Sequence, residues 1–308
     1  MSDPRRRSWL YVPADDARKI AKAADTDADV VVLDLEDGCA ADRKLQGRER
    51  VRGALTDVDF GRSLRYVRIN GSDSPHWRED VEQTAGAVDG LMLPKASDPQ
   101  WVKAVAELVR ARRGAGADPP DLAAIVTEDV ESVFAAERTI TVDELVGTVL
   151  WGSEDLSASL GAWSVRGEDG ELMDVFRVVR SLALLVAKRH GKRVIDTPYL
   201  RIGDRAGAKR EARLVARMGF TGKQAIHPEQ IPIINDAFLP DDAEVRAARE
   251  LVAAFEHRGD AVVRLHDDMA DAPHLRRARR VLALVTDTDT DTDTNTRERM
   301  STPPQPKG

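Results

Sequence analysis

The sequence predicts a (β/α)8 TIM barrel of the α/β class, and three observations predict it. Eight short apolar bursts alternate with eight segments of helical spacing, the pattern of parallel strands joined by crossover helices. The chain has 308 residues and 42% hydrophobic content, which suits one large core, since a barrel takes roughly 250 residues. A doubly wound open sheet usually needs fewer repeats and a glycine-rich first turn, and no GxGxxG or Walker-type loop occurs here.

Trp9 to Val12 opens the series and is followed by a helix over Asp15 to Ala24, on which Arg18 and Lys22 share one face. Val30 to Leu35 is an unbroken apolar run, as in a strand buried on both faces. It ends abruptly in Asp34, Glu36 and Asp37, and a helix over Arg43 to Leu55 follows. Leu64 to Ile69 is paired with Trp77 to Ala87, Gly90 to Leu93 with Pro99 to Arg112, and Leu122 to Val126 with Val130 to Arg138. Thr148 to Trp151 leads to the helix Leu172 to His190, Val194 to Ile195 to Ala206 to Met218, and Gly222 to Ile226 to Glu229 to Ala237. Pro240 to Arg258 reads as a further helix, and the segment Val262 to Val285 leads into a last amphipathic one. From Thr286 the chain becomes TDTDTDTDTNTRERMSTPPQPKG, with almost nothing apolar to bury. The organisation expected is a barrel over 1–238, a helical extension over 239–285 and a disordered tail over 286–308.

The net charge is -7, with 32% charged residues and a pI near 5.5, so no basic surface is offered to nucleic acid or an anionic membrane. Cys39 is the single cysteine, which rules out an intramolecular disulfide and suits a small apolar filler in a reducing cytoplasm. No apolar run approaches the length of about 18 residues needed to span a bilayer, and no signal-peptide core follows MSDPRRRS. A cytoplasmic protein is expected.

In such barrels the strand C-termini and the loops after them build the site. The residues there are Pro13, Glu36 and Asp37, Arg68 and Asn70, Lys95, Glu128, Glu154 and Asp155, Asp196, and Lys223 with Gln224 and His227. A rim so rich in carboxylates repels itself unless protons or a cation neutralise it, and oxygen-only ligands favour a hard divalent ion. Mg2+ is the natural candidate and Mn2+ the alternative. The histidines lack HExxH spacing and no GxSxG elbow is present, which argues against zinc and serine hydrolases. His227, set before a proline, reads as a hydrogen-bonded structural residue.

Six ordered motifs carry a family resemblance. Tyr11-Val12-Pro13, Asp34-Leu35-Glu36-Asp37-Gly38, Val67-Arg68-Ile69-Asn70, Leu93-Pro94-Lys95, Glu154-Asp155-Leu156 and Gly219 to Pro228 resemble the citrate lyase beta subunit-like family of the HpcH/HpaI aldolase superfamily. Within it the chain is most similar to CoA-ester lyases acting on citramalyl-CoA or malyl-CoA. The resemblance implies a Mg2+ site, a CoA thioester substrate and a homotrimer or dimer of trimers.

By position it implies Glu128 and Asp155 as metal ligands, with Glu36 and Asp37 around them and Arg68 on the substrate. Tyr11, Arg18, Lys22, Ala225 and Ile226 match substrate and CoA contacts. Asp271 matches an aspartate that relatives place over a neighbouring subunit's site, carried on the extension that packs there. Three departures stand out: Glu128-Asp129-Val130 for Glu-Thr-Ala, Pro13-Ala14 for Pro-Gly, and Asp267 for a glycine. The activity implied is a reversible Claisen-type lyase. A malyl-CoA thioesterase, or a citrate lyase beta-type subunit acting on a carrier-bound thioester, is the alternative, and an aldolase on free hydroxy acids a further one.

Overall fold

The computed structural model describes residues 6–113, 118–258, 262–265 and 268–285; Asp267 and the Thr-Asp tail lie outside the described residues. The chain divides into two compact units, one ending at Phe238 and one beginning at Leu239.

In the first unit eight parallel strands close into a barrel in chain order, so the predicted fold is the observed one. They are β1 (Ser8–Pro13), β2 (Val30–Asp34), β3 (Leu64–Arg68), β4 (Gly90–Leu93), β5 (Asp121–Ile125), β6 (Val146–Leu150), β7 (Arg193–Asp196) and β8 (Gly222–Ala225). Around them lie α1 (Ala17–Ala24), α2 (Lys44–Asp57), α3 (Trp77–Thr84), α4 (Pro99–Arg113), α5 (Val130–Thr141), α6 (Glu154–Leu160), α7 (Asp174–Arg189), α8 (Arg205–Met218) and α9 (Gln230–Ala237). The sequence reading lacks α6, whose seven residues bury only Leu156 and so leave no apolar stripe to read.

Successive strand residues face opposite sides, and the two sets build two cores. Trp9, Val30, Val32, Tyr66, Met92, Ala123, Ile125, Leu150 and Ile195 fill the barrel interior. Leu10, Val31, Leu33, Val67, Leu91, Leu122 and Val149 belong to the larger core shared with the helices, as does Cys39. Gly90 is dictated by this packing, because a Cβ there would lie 2.0 Å from the Tyr66 ring.

A charged plug closes the N-terminal end. Asp121 accepts hydrogen bonds from Thr148 at 2.7 Å and Tyr66 at 2.8 Å, and pairs with Arg6 at 2.9 Å. These groups satisfy one another, which leaves chemistry to the opposite end.

The second unit holds α10 (Asp242–Arg258), an antiparallel hairpin of β9 (Val262–Leu265) and β10 (Asp268–Asp271), and a helix over 272–285. Phe255, Val263 and Ala270 form its small core. The hairpin stands in the stretch that the sequence reading left as a lead-in between two helices, since strands of four residues carry too little period-two signal to stand out. Among the described residues no helix is long and apolar enough to cross a membrane.

Candidate active site

The site grows from β2. Asp34 and Glu36 share the interior parity of Val30 and Val32, so both carboxylates turn into the barrel mouth while Asp37 is exposed. Arg68, at the end of β3, has the same parity and meets them. Its Nε and Nη2 donate to the two Asp34 oxygens at 2.8 and 2.6 Å, and its Nη1 reaches Glu36 at 2.9 Å. This planar fork fixes the guanidinium, and three of the five N–H groups of an arginine are thereby engaged.

Burial works against the charge of Arg68, but Asp34 and Glu36 more than offset it and hold the group firmly protonated. The Tyr11 ring lies beneath, 5.1 Å from the guanidinium carbon, with its hydroxyl on the Met92 sulfur. Asp34 is held in turn by the amides of Glu36 and Gly38 at 3.0 and 2.9 Å. Glycine is needed at 38 because a Cβ would come within 2.4 Å of the Asp34 carboxylate.

Two strands on from Arg68 stands Glu128, buried just beyond β5. Its carboxylate accepts the Lys95 amide at 2.5 Å, and Lys95 Nζ reaches back to Glu36 at 2.8 Å. Among the described residues Lys95 is the one non-glycine with positive φ, at 47°. That left-handed conformation costs roughly 1–2 kcal/mol. Gly152, ahead of α6, lets its loop close on Glu128: a Cβ there would lie 3.0 Å from Glu128 Cγ. Asp155 follows in the first turn of α6 and is half-buried.

The electrostatics centre on Glu128. Burial pushes its pKa up to about 8; Arg68 and the Lys95 amide pull it down, while Asp155 and Glu36 add to the rise. Burial disfavours the Lys95 ammonium, yet Glu36, Asp37 and Asp155 raise its pKa above the ordinary value. A buried carboxyl facing other carboxylates fits a divalent cation in place of its proton, and the donor set is oxygen only. Among the described residues no three His, Cys, Asp or Glu side chains form a ready-made metal cage. Mg2+ is commonly held by only one or two carboxylates and completes its shell from substrate and water.

The other expected residues separate. Arg18 and Lys22 are exposed together on α1, apart from Tyr11, which belongs with Arg68. Ala225 has no accessible surface, so of the pair Ile226 alone can meet a ligand, at 39% exposure. Asp271 ends β10, where its carboxylate meets His274 Nδ1 at 2.6 Å and the His274 ring lowers its pKa.

Three rim residues of the sequence reading, Asn70, Asp196 and Lys223, have structural work instead, and His227 has the hydrogen-bonded structural place expected of it. Asn70 binds Asp80 of α3 at 2.6 Å, and His227 accepts the Glu229 amide at 3.2 Å. Asp196 and Lys223 point outward from the barrel, where Lys223 Nζ meets Asp196, the Thr197 carbonyl and Glu211 of α8 at 2.5, 2.7 and 2.9 Å. Of the departures, Asp129 is turned away as the N-cap of α5 in a capping box with Ser132, and the Ala14 methyl is buried in the outer core. Two residues the sequence reading gave no role, Asp34 and Lys95, hold the cluster together.

Residues 7–228 match the HpcH/HpaI aldolase/citrate lyase family. Mitochondrial citramalyl-CoA lyase of Homo sapiens is 35% identical over 296 residues, covering 91% of this chain and 86% of that protein. (3S)-malyl-CoA thioesterase of Cereibacter sphaeroides is 33% identical over 282 residues, covering 90% and 93%. The crystal structure of the protein CitE from Mycobacterium tuberculosis, in complex with magnesium, acetoacetate and coenzyme A, has a TM-score of 0.80 and 36% identity over 90% of this chain and 97% of that one. The family match spans all eight strands and the mouth residues from Asp34 to Asp155, and the chain belongs to the HpcH/HpaI aldolase/citrate lyase family.

Proposed function

We propose that this chain is a Mg2+-dependent CoA-ester lyase. It cleaves a 3-hydroxyacyl-CoA such as citramalyl-CoA or malyl-CoA to a 2-oxo acid and an acyl-CoA, and joins them in reverse. The observation that carries the reading is the mouth cluster, in which buried Glu128 faces a fixed, cationic Arg68 in a barrel of this family.

Glu128 and Asp155 would hold the Mg2+, which supplies Lewis-acid stabilisation of oxygen charge on the oxo-acid half. Arg68 offers the N–H groups left by Asp34 and Glu36 to the same half, where charge grows as the bond breaks. In cleavage the 3-hydroxyl gives its proton to solvent water, the carbon–carbon electron pair passes to the thioester as an enolate while the hydroxyl oxygen becomes the carbonyl of the 2-oxo acid, and the α-carbon takes up a proton. Asp271 of a neighbouring subunit delivers that proton and, in the reverse direction, removes one from the acyl-CoA. Glu36 keeps Arg68 in place, and Asp37 stands at the outer edge of the mouth. Tyr11 supports Arg68, while Arg18, Lys22 and Ile226 meet the CoA.

The protein works as a cytoplasmic homotrimer in this reading. Exposed Phe134 on α5, and Val175, Val178, Leu182 and Leu185 along α7, support self-association.

Incubation of purified protein with Mg2+ and a panel of malyl-CoA, citramalyl-CoA and methylmalyl-CoA tests the proposal. The expected products are a 2-oxo acid and an acyl-CoA, both lost on chelation. Free CoA with an intact hydroxy acid would establish the thioesterase, a reading that the Cereibacter relative's name favours. Turnover only of a carrier-bound thioester would establish the subunit role.

A further inference from the structure

We infer that Lys95 is a positioning residue with two separate hands, its amide aiming Glu128 and its ammonium aiming Glu36 and, through it, Arg68. The inference rests on the lyase reading of the mouth. The β4–β5 pairing runs to Leu93 and Ala124, and the Ala96 amide donates to the Ile125 carbonyl at 3.0 Å. Between them Lys95 kinks out with φ 47°, which takes its N–H off the ladder and presents it to Glu128 at 2.5 Å.

A glycine would make this kink without strain, whereas a lysine pays for the left-handed backbone. What the lysine adds is its ammonium, 2.8 Å from Glu36 Oε1, while the other Glu36 oxygen is 2.9 Å from Arg68 Nη1. Glu36 is thus pinned between two cations. One strained residue, carried just beyond β4, therefore sets both the metal-ligand candidate beyond β5 and the substrate-arginine candidate at the end of β3.

Lys95→Gly separates the two hands, because it keeps the amide and relaxes the backbone but deletes the ammonium. The full-length variant should bind Mg2+ by calorimetry as the wild type does and melt no lower. Its kcat should fall about 10- to 100-fold, as on loss of a supporting group, with KM for the CoA ester little changed. Added propylammonium should restore part of the rate, and Lys95→Arg should retain more activity than Lys95→Gly.

Wild-type kcat in Lys95→Gly would overturn the inference. So would a rate loss that neither the amine nor arginine relieves, or a Mg2+ affinity as weak as that of Glu128→Gln. A wild-type chain that neither binds Mg2+ nor turns over a CoA ester would instead overturn the lyase reading itself.

Discussion

Glu128 concentrates the electrostatic cost of the mouth, and its behaviour with pH follows from its direction of shift. Its ordinary pKa of 4.5 is pushed up to about 8, so the folded chain holds this proton more tightly than the unfolded one. Without cation its contribution to stability is therefore fully present below about pH 4.5 and declines until about pH 8. Glu128→Gln should flatten that part of the profile and gain on the order of 1 to 4 kcal/mol over the wild type near pH 9 in a chelator. Mg2+ should stabilise the wild type increasingly up to about pH 8 and leave the variant unmoved. Denaturant titrations of both at low and high pH check this; parallel profiles would mean that Glu128 does not carry the proton. Asp34 is the complementary case, an acid whose partner is present. Removing it in Asp34→Ala leaves two of the three engaged N–H groups of a buried guanidinium unpaired, with Glu36 as its remaining partner, which should cost about 3 kcal/mol in the same titrations. How far the sequence reaches at this scale turns on strand parity. Counting by twos from Val30 places Asp34 and Glu36 inside and Asp37 outside, and the same count would have turned Asp196 and Lys223 away from the mouth. The φ of Lys95 had no such signal, because a kink set by pairing to β5 cannot be read from Leu-Pro-Lys.

Among the elements, α5 shows how one acidic pair divides its labour. Glu128 turns into the mouth, while Asp129 accepts the Ser132 amide at 2.7 Å and its own amide meets the Ser132 hydroxyl at 3.1 Å. Asp129→Ala should cost about 1 kcal/mol of stability, the usual loss of an N-cap, and leave Mg2+ affinity unchanged. A weakened metal isotherm in that variant would show that Asp129 is a ligand and the assignment of Glu128 incomplete. The long elements of the barrel were legible because an apolar run such as Val30 to Leu33, or the spacing along α4, is repeated often enough to outweigh chance. The short ones were not. The helix α6 buries one side chain and is closed by left-handed Gly161, and β9 packs through Val263 alone; in both, tertiary contacts decide what seven or four residues cannot.

At the scale of the whole molecule the chain forms two compact units, a barrel carrying Glu128 and an extension carrying Asp271, and the proposed chemistry needs a residue from each. An acid–base group must come within hydrogen-bond reach of the reacting carbon, and its removal typically lowers the rate about 100- to 10,000-fold. Asp271→Asn should lose activity on that scale while still binding Mg2+ and CoA. If Asp271 only steadies its helix through His274, the same change should lower stability by about 1 kcal/mol and leave turnover nearly intact. The two cases part further when subunits are mixed. Asp271→Asn and Glu128→Gln chains, each inactive alone, carry complementary defects. If the site is shared between subunits, co-refolding them produces some oligomers in which an intact Glu128 meets an intact Asp271. Partial activity should then return with the statistics of random assembly. If each barrel is served by its own extension, every site keeps one defect, and mixed oligomers demonstrated by mass should remain inactive.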